Sequence, residues 1–153
     1  MQVFRLTRKK YKIELSGKGA AIMGARWNSK GTELIYTSAS RALAMAEVFI
    51  HLSLNKLPSD FVMLEINIPE TLKMGTVTAK ELPERWNEFP YRFNTQQFGD
   101  GLVSDNNYAF LQVPSAVVPG DFNYLLNPYH ADFSKITIKT YTDFPMDNRL
   151  FKI

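Results

Sequence analysis

The chain has 153 residues, with 18 Lys and Arg against 15 Asp and Glu for a formal net charge of +3, and it contains no cysteine. Disulfides and thiolate metal sites are excluded, and the length predicts one compact domain spanning 1–153 that buries about 70% of its unfolded surface. With 45% hydrophobic and 22% charged residues and no run near the ~18 apolar residues of a membrane span, the composition predicts a soluble protein without a membrane partner, and the absence of cysteine is compatible with a cytoplasmic location.

In chain order, Gln2–Leu6 alternates and predicts a first strand, which Tyr11–Leu15 continues or pairs with. The basic cluster Arg8-Lys9-Lys10 between them reads equally as a solvated loop, a phosphate-facing rim or a docking surface for an acidic partner. No secretion signal is expected, because the opening residues lack an apolar core and a small-residue cleavage site. Ser16-Gly17-Lys18-Gly19-Ala20 is turn material. Glu33–Tyr36 predicts a brief strand running into Thr37-Ser38-Ala39-Ser40, whose hydroxyls suit a helix N-cap.

From Arg41 to about Asn55, Leu43, Ala46, Ile50 and Leu54 recur at helical spacing. On a neighbouring face Ala44, Glu47 and His51 follow at steps of three and four; either the small Ala44 leaves room for a ligand above Glu47, or Glu47 and His51 are a surface i, i+4 pair. Phe61–Ile68 predicts a strand burying Val62, Leu64, Ile66 and Ile68 on one side, stopped by Pro69. Pro83–Tyr91 reads as irregular or a short helix, and Thr95 as the cap of a helix that accommodates Gly99 and Gly101 poorly. Tyr108–Val113 predicts a strand, the stretch from Pro114 through Pro119-Gly120 to Asn127-Pro128 a loop, and Lys135–Tyr141 a last strand. With no repeat or linker, the order argues for one α+β domain with mixed or antiparallel sheets and flanking helices.

The polar equipment concentrates between Gly24 and His51. Arg26 offers a fixed fork of donors suited to phosphate, Tyr36 a flat ring with a hydroxyl, and Glu47 an acceptor-only anion, a set suited to a phosphate-containing ligand with a planar ring. The competing reading is a surface Arg and Glu beside a half-buried Tyr. Phosphate-loop, paired-histidine and GxSxG patterns are absent, and two histidines do not predict a metal centre.

Gly24-x-Arg26-Trp27-Asn28-x-x-Gly31, Tyr36-Thr37-Ser38, Ala42-Leu43-Ala44 with Glu47, Val113-Pro114-Ser115, and Leu125-Leu126-Asn127-Pro128 with His130 closely resemble the RES-domain family, in order and over nearly the whole chain from Phe4 to Phe133. Arg26, Glu47 and Ser115 match the Arg, Glu and Ser of the family's name. The resemblance implies an ADP-ribosyltransferase-like fold and the toxin half of a bacterial toxin–antitoxin pair, whose partner is an Xre-type helix-turn-helix antitoxin. It implies NAD as the substrate, with inorganic phosphate as co-substrate, nicotinamide and ADP-ribose 1''-phosphate as products in some members, and transfer of ADP-ribose to a protein in at least one branch.

Under that resemblance Arg26, Glu47 and Ser115 are the catalytic candidates, and Arg26, Tyr36, His51 and Asn127 the NAD-binding ones. Breaking the nicotinamide–ribose bond develops oxocarbenium character, so a carboxylate near the ribose is the useful group and Glu47 supplies it. Arg26 then holds phosphate, Tyr36 walls the nicotinamide, and Ser115 and Asn127 orient Glu47 or the carboxamide, while His51 and Asn127 are divided between ligand contact and scaffold. Trp27 is expected in the core, and Arg5 and Lys18 either at the phosphate end or on solvated surface. Hydrolysis of NAD and a non-catalytic basic module that binds nucleic acid or an acidic partner are the alternatives; on the favoured reading the chain makes no direct contact with nucleic acid.

Overall fold

Strands β1 (Gln2–Arg8), β2 (Ile35–Ser38), β3 (Phe61–Asn67), β4 (Met74–Thr76), β5 (Phe110–Pro114), β6 (Phe122–Leu126) and β7 (Thr137–Asp143) form one sheet in the computed structural model. The structure describes residues 1–11, 13–52 and 58–151. The seven strands lie in the order β4-β5-β6-β2-β1-β3-β7, antiparallel except for the β4–β5 pair, and are accompanied by helices α1 (Lys18–Met23), α2 (Arg41–Phe49) and α3 (Phe93–Asp105). The class is therefore α+β, as the sequence predicts.

β1 and β3 pair along their full length, from Gln2 opposite Asn67 to Arg8 opposite Phe61. Val3, Val62, Leu64 and Ile66 pack into a core on one side of the sheet, and Phe4, Leu6, Phe61 and Met63 pack with Ala44 of α2 on the other. β3 is thus buried on both faces rather than one, because α2 covers the side that simple alternation leaves to solvent. Each fully buried apolar side chain contributes about 1.5–3 kcal/mol, so these two strands anchor the fold. By contrast β1 and β2 share a single paired position, Phe4 opposite Ser38, which leaves a thin seam in the sheet.

α2 starts where the sequence predicts, with Ser40 Oγ accepting from the Leu43 amide at 3.1 Å. It ends at Phe49, earlier than expected, since Ile50 is 53% exposed and the periodic stripe loses its burial there. His51 N donates to Val48 O, closing a tighter turn, and Leu54 and Asn55 lie outside the described residues. The described residues of Tyr11–Leu15 form no strand; Ile13 and Leu15 instead cap the core with their side chains.

Two elements arise where a turn or loop is expected. Lys18–Met23 winds into α1, and Phe122–Leu126 forms β6, an inner strand between β2 and β5 whose residues 123–126 are all buried and so show no alternation. The short β4 also escapes sequence reading. Thr95 sits inside α3 rather than capping it, and the cap is Arg92. Gly99 is required at its place in α3: a Cβ there would stand 2.0 Å from the Trp27 carbonyl oxygen.

Candidate active site

The seam between β1 and β2 opens into a cavity of about 600 Å³, a typical size for a small-molecule site. β1 contributes Leu6, β2 contributes Tyr36 and Ser38, α2 contributes Ala44 and Glu47, and His51 follows from the turn after it. Arg26 and Trp27 enter from the segment after α1, and Asn87, Phe89 and Tyr91 from the irregular segment before α3.

Glu47 is held from two places, the turn after β5 and strand β6. Its Oε1 accepts from the Ser115 hydroxyl at 2.8 Å and from the Asn123 side-chain amide at 2.5 Å, while Oε2 has no partner among the described residues. Ser115 sits in the turn after β5, where its Oγ also accepts from the Val117 and Val118 amides at 3.1 and 3.0 Å. With both lone pairs engaged, its one hydroxyl proton is committed to Glu47. Ser38, opposite Asn123 in the β2–β6 register, donates to Asn123 Oδ1 at 2.8 Å.

Arg26 follows Gly24, whose φ of 71° suits glycine and turns the chain out of α1. One terminal nitrogen of its guanidinium donates to the carbonyls of Trp86 and Glu88 at 2.7 and 2.9 Å, and the guanidinium lies 5.1 Å from the Tyr91 ring centre. Its Nε and second terminal nitrogen are without partners among the described residues. Burial pulls its pKa below the ordinary value; the electrostatic influence of Tyr91, Glu47 and Tyr36 opposes that. Arg26 and Glu47 therefore sense each other across the cavity without forming an ion pair, leaving both available to a ligand.

Tyr36 lines the cavity, but its hydroxyl is engaged elsewhere. It donates to Asn28 Oδ1 at 2.7 Å and accepts from the Trp27 amide at 3.0 Å, fastening the segment that carries Arg26. Burial pushes its phenol pKa well up, so it stays protonated. Trp27 is 2% exposed, as expected of a core residue, and stacks on Trp86 with ring centres 5.8 Å apart. His51 places Nε2 3.4 Å from the Tyr91 hydroxyl at the rim. Arg5 also lines the cavity, half-buried, with one terminal nitrogen donating to Ser16 O at 3.2 Å, whereas Lys18 stands on the exposed surface.

Asn127, expected to contact NAD, lies elsewhere. It is fully buried behind α3, its amide nitrogen donating to Asn106 Oδ1 at 3.0 Å and its Oδ1 accepting from the Tyr129 amide at 3.0 Å. In the same segment His130 Nδ1 accepts from the Asp132 amide, so this motif braces a turn. Asn123 and Tyr91 are the residues that the sequence reading misses. The signal for Asn123 is a lone amide within the apolar run Phe122–Leu126, legible only once that run is recognised as a strand facing Ser38.

Fold and site together define an α+β protein that sets an arginine and a glutamate facing one ligand-sized cavity at a sheet seam. The family model described as "RES domain" matches residues 2–147, and the chain belongs to the RES-domain family. It is 37% identical to "Toxin Res" of Photorhabdus laumondii over 155 residues, covering 99% of this chain and 98% of that protein. The "Prs ADP-ribosylating toxin" of Sphingobium is 36% identical over 141 residues, covering 91% and 88%. Among solved structures, a chain of the M. tuberculosis MbcT–MbcA toxin–antitoxin complex shares the fold with a TM-score of 0.73 at 18% identity, over 98% of this chain and 86% of that one.

Proposed function

We propose that this chain is the toxin of a toxin–antitoxin pair and that it splits NAD at the nicotinamide–ribose bond, with inorganic phosphate as the acceptor. The observation that carries the reading is Glu47, a carboxylate fixed through Oε1 and lining a cavity that also holds Arg26, with Glu47 Oε2 and two of the Arg26 nitrogens unpartnered among the described residues. The bond from the ribose anomeric carbon to the pyridinium nitrogen breaks with its electron pair passing to nicotinamide, which leaves neutral. Glu47 Oε2 steadies the ribose as positive charge develops, and a phosphate oxygen supplies the pair for the new bond. Arg26 holds the pyrophosphate or the incoming phosphate, Tyr36 walls the ring, and Ser115 keeps Glu47 in place. On this reading NAD is a substrate, not a resident cofactor, and inorganic phosphate is the co-substrate.

Water and a protein side chain are the alternative acceptors, and transfer to protein is favoured by the name of the Sphingobium relative. An Xre-type antitoxin is the expected partner, in keeping with the toxin–antitoxin complex that supplies the structural neighbour. The reading assigns the chain no direct contact with nucleic acid; within the basic cluster Arg8 pairs with Asp60 and Lys9 with Asp143 at 3.2 Å. A cytoplasmic location follows from this reading, since NAD and the antitoxin both reside there.

Incubating purified protein with NAD, with and without phosphate, and identifying products by mass spectrometry tests the proposal. Nicotinamide with ADP-ribose 1''-phosphate is expected; free ADP-ribose or ADP-ribosylated protein would redirect the acceptor to water or protein. No loss of NAD under either condition would overturn it.

A further inference from the structure

We propose that Ser38 and Asn123 are positioning residues that, with Ser115, lock the Glu47 carboxylate so that Oε1 is buried in protein hydrogen bonds and Oε2 alone is presented to the cavity. This rests on the reading of Glu47 as the residue that steadies the ribose. The donors run in one direction along the network. Ser38 Oγ donates to Asn123 Oδ1 at 2.8 Å, which fixes the amide so that Nδ2 faces Glu47, and Nδ2 donates to Oε1. From the other side the Val117 and Val118 amides donate to Ser115 Oγ, and Ser115 donates to the same Oε1. Ser38, Ser115 and Asn123 are 4%, 4% and 8% exposed, so water competes poorly for these bonds.

The lock has a stereochemical consequence. A carboxylate gripped on one oxygen cannot rotate to exchange its two oxygens without breaking two charge-assisted bonds, so the free acceptor keeps one direction. Glu47→Gln would have to place its carbonyl oxygen where Ser115 and Asn123 donate. Its NH2 would then occupy the cavity-facing position, presenting a donor where the ribose hydroxyls require an acceptor. β6 and β2 are adjacent in the sheet, with Ser38 directly opposite Asn123, so the arm is built into the strand register rather than into a mobile loop.

The test follows nicotinamide release from NAD, a step shared by every acceptor, in wild type and in Asn123→Ala, Ser38→Ala and Ser38→Thr, with melting temperature measured for each. Asn123→Ala is expected to lower kcat about 10- to 100-fold, the kinetic equivalent of one hydrogen bond to a charged group, with KM for NAD unchanged. Ser38→Ala lowers kcat less, and Ser38→Thr, which keeps the hydroxyl, restores it. Where Asn123→Ala fails to fold, the Ser38 pair decides. Ser38→Ala at the wild-type rate, or a rise in KM with kcat unchanged, overturns the positioning role while leaving NAD cleavage standing; wild-type protein that releases no nicotinamide overturns both.

Discussion

At the scale of single residues, Arg26 has two tasks at once. One terminal nitrogen ties the Trp86 and Glu88 carbonyls, and the remaining donors are left for a ligand. A lysine has one nitrogen on a flexible stem and cannot span both carbonyls while presenting a fork. Arg26→Lys is therefore expected to behave nearly as badly as Arg26→Ala, raising KM for NAD about tenfold or more in steady-state nicotinamide-release assays. Retention of wild-type KM by the lysine variant would show that charge alone suffices. Tyr36 teaches a related lesson: its residue type and position suggest a ring wall and the residue lines the cavity, but only the folded chain reveals that its hydroxyl clamps Trp27 and Asn28.

At the scale of elements, α3 is pressed against the segment bearing Arg26. Gln96 donates to the carbonyl of Ala25 at 2.9 Å, and Gly99 lets the helix backbone reach Trp27. Gly99→Ala forces a methyl group into a space already filled by backbone, so a loss of about 1–3 kcal/mol in urea unfolding is expected, with weaker NAD binding because Arg26 is displaced. Gly101 meets nothing within 4 Å, and Gly101→Ala is expected to gain about 0.5–1 kcal/mol from helix propensity. Equal effects at the two glycines would refute the close approach. The sequence reading identifies both as poor helix residues, but a rule based on propensity has no means of separating them. What separates them is Trp27, some seventy positions away along the chain.

At the scale of the whole molecule, the seam between β1 and β2 draws together residues from seven separated parts of the chain, and the proposed toxicity depends on that assembly. Expression of the chain without its antitoxin is expected to arrest growth and lower cellular NAD, and Arg26→Ala or Glu47→Ala to relieve both; arrest with NAD unchanged would count against the mechanism. Legible in the sequence were the α+β class, the strands β1, β3 and β7 within a few residues, a helix cap within Thr37-Ser38-Ala39-Ser40, and the motif residues that mark the family. Alternation, caps and motif types are local properties, and local properties survive reading one residue at a time. Only the tertiary structure decided that Asn127 braces a turn behind α3 while Asn123 reaches Glu47: Asn123 stands opposite Ser38 in the β2–β6 register, whereas Asn127 lies one residue past the end of β6 and turns to Asn106. It also decided that Oε1 of Glu47 is gripped and Oε2 is not, because that distinction exists only where β2, β6 and the turn after β5 meet α2.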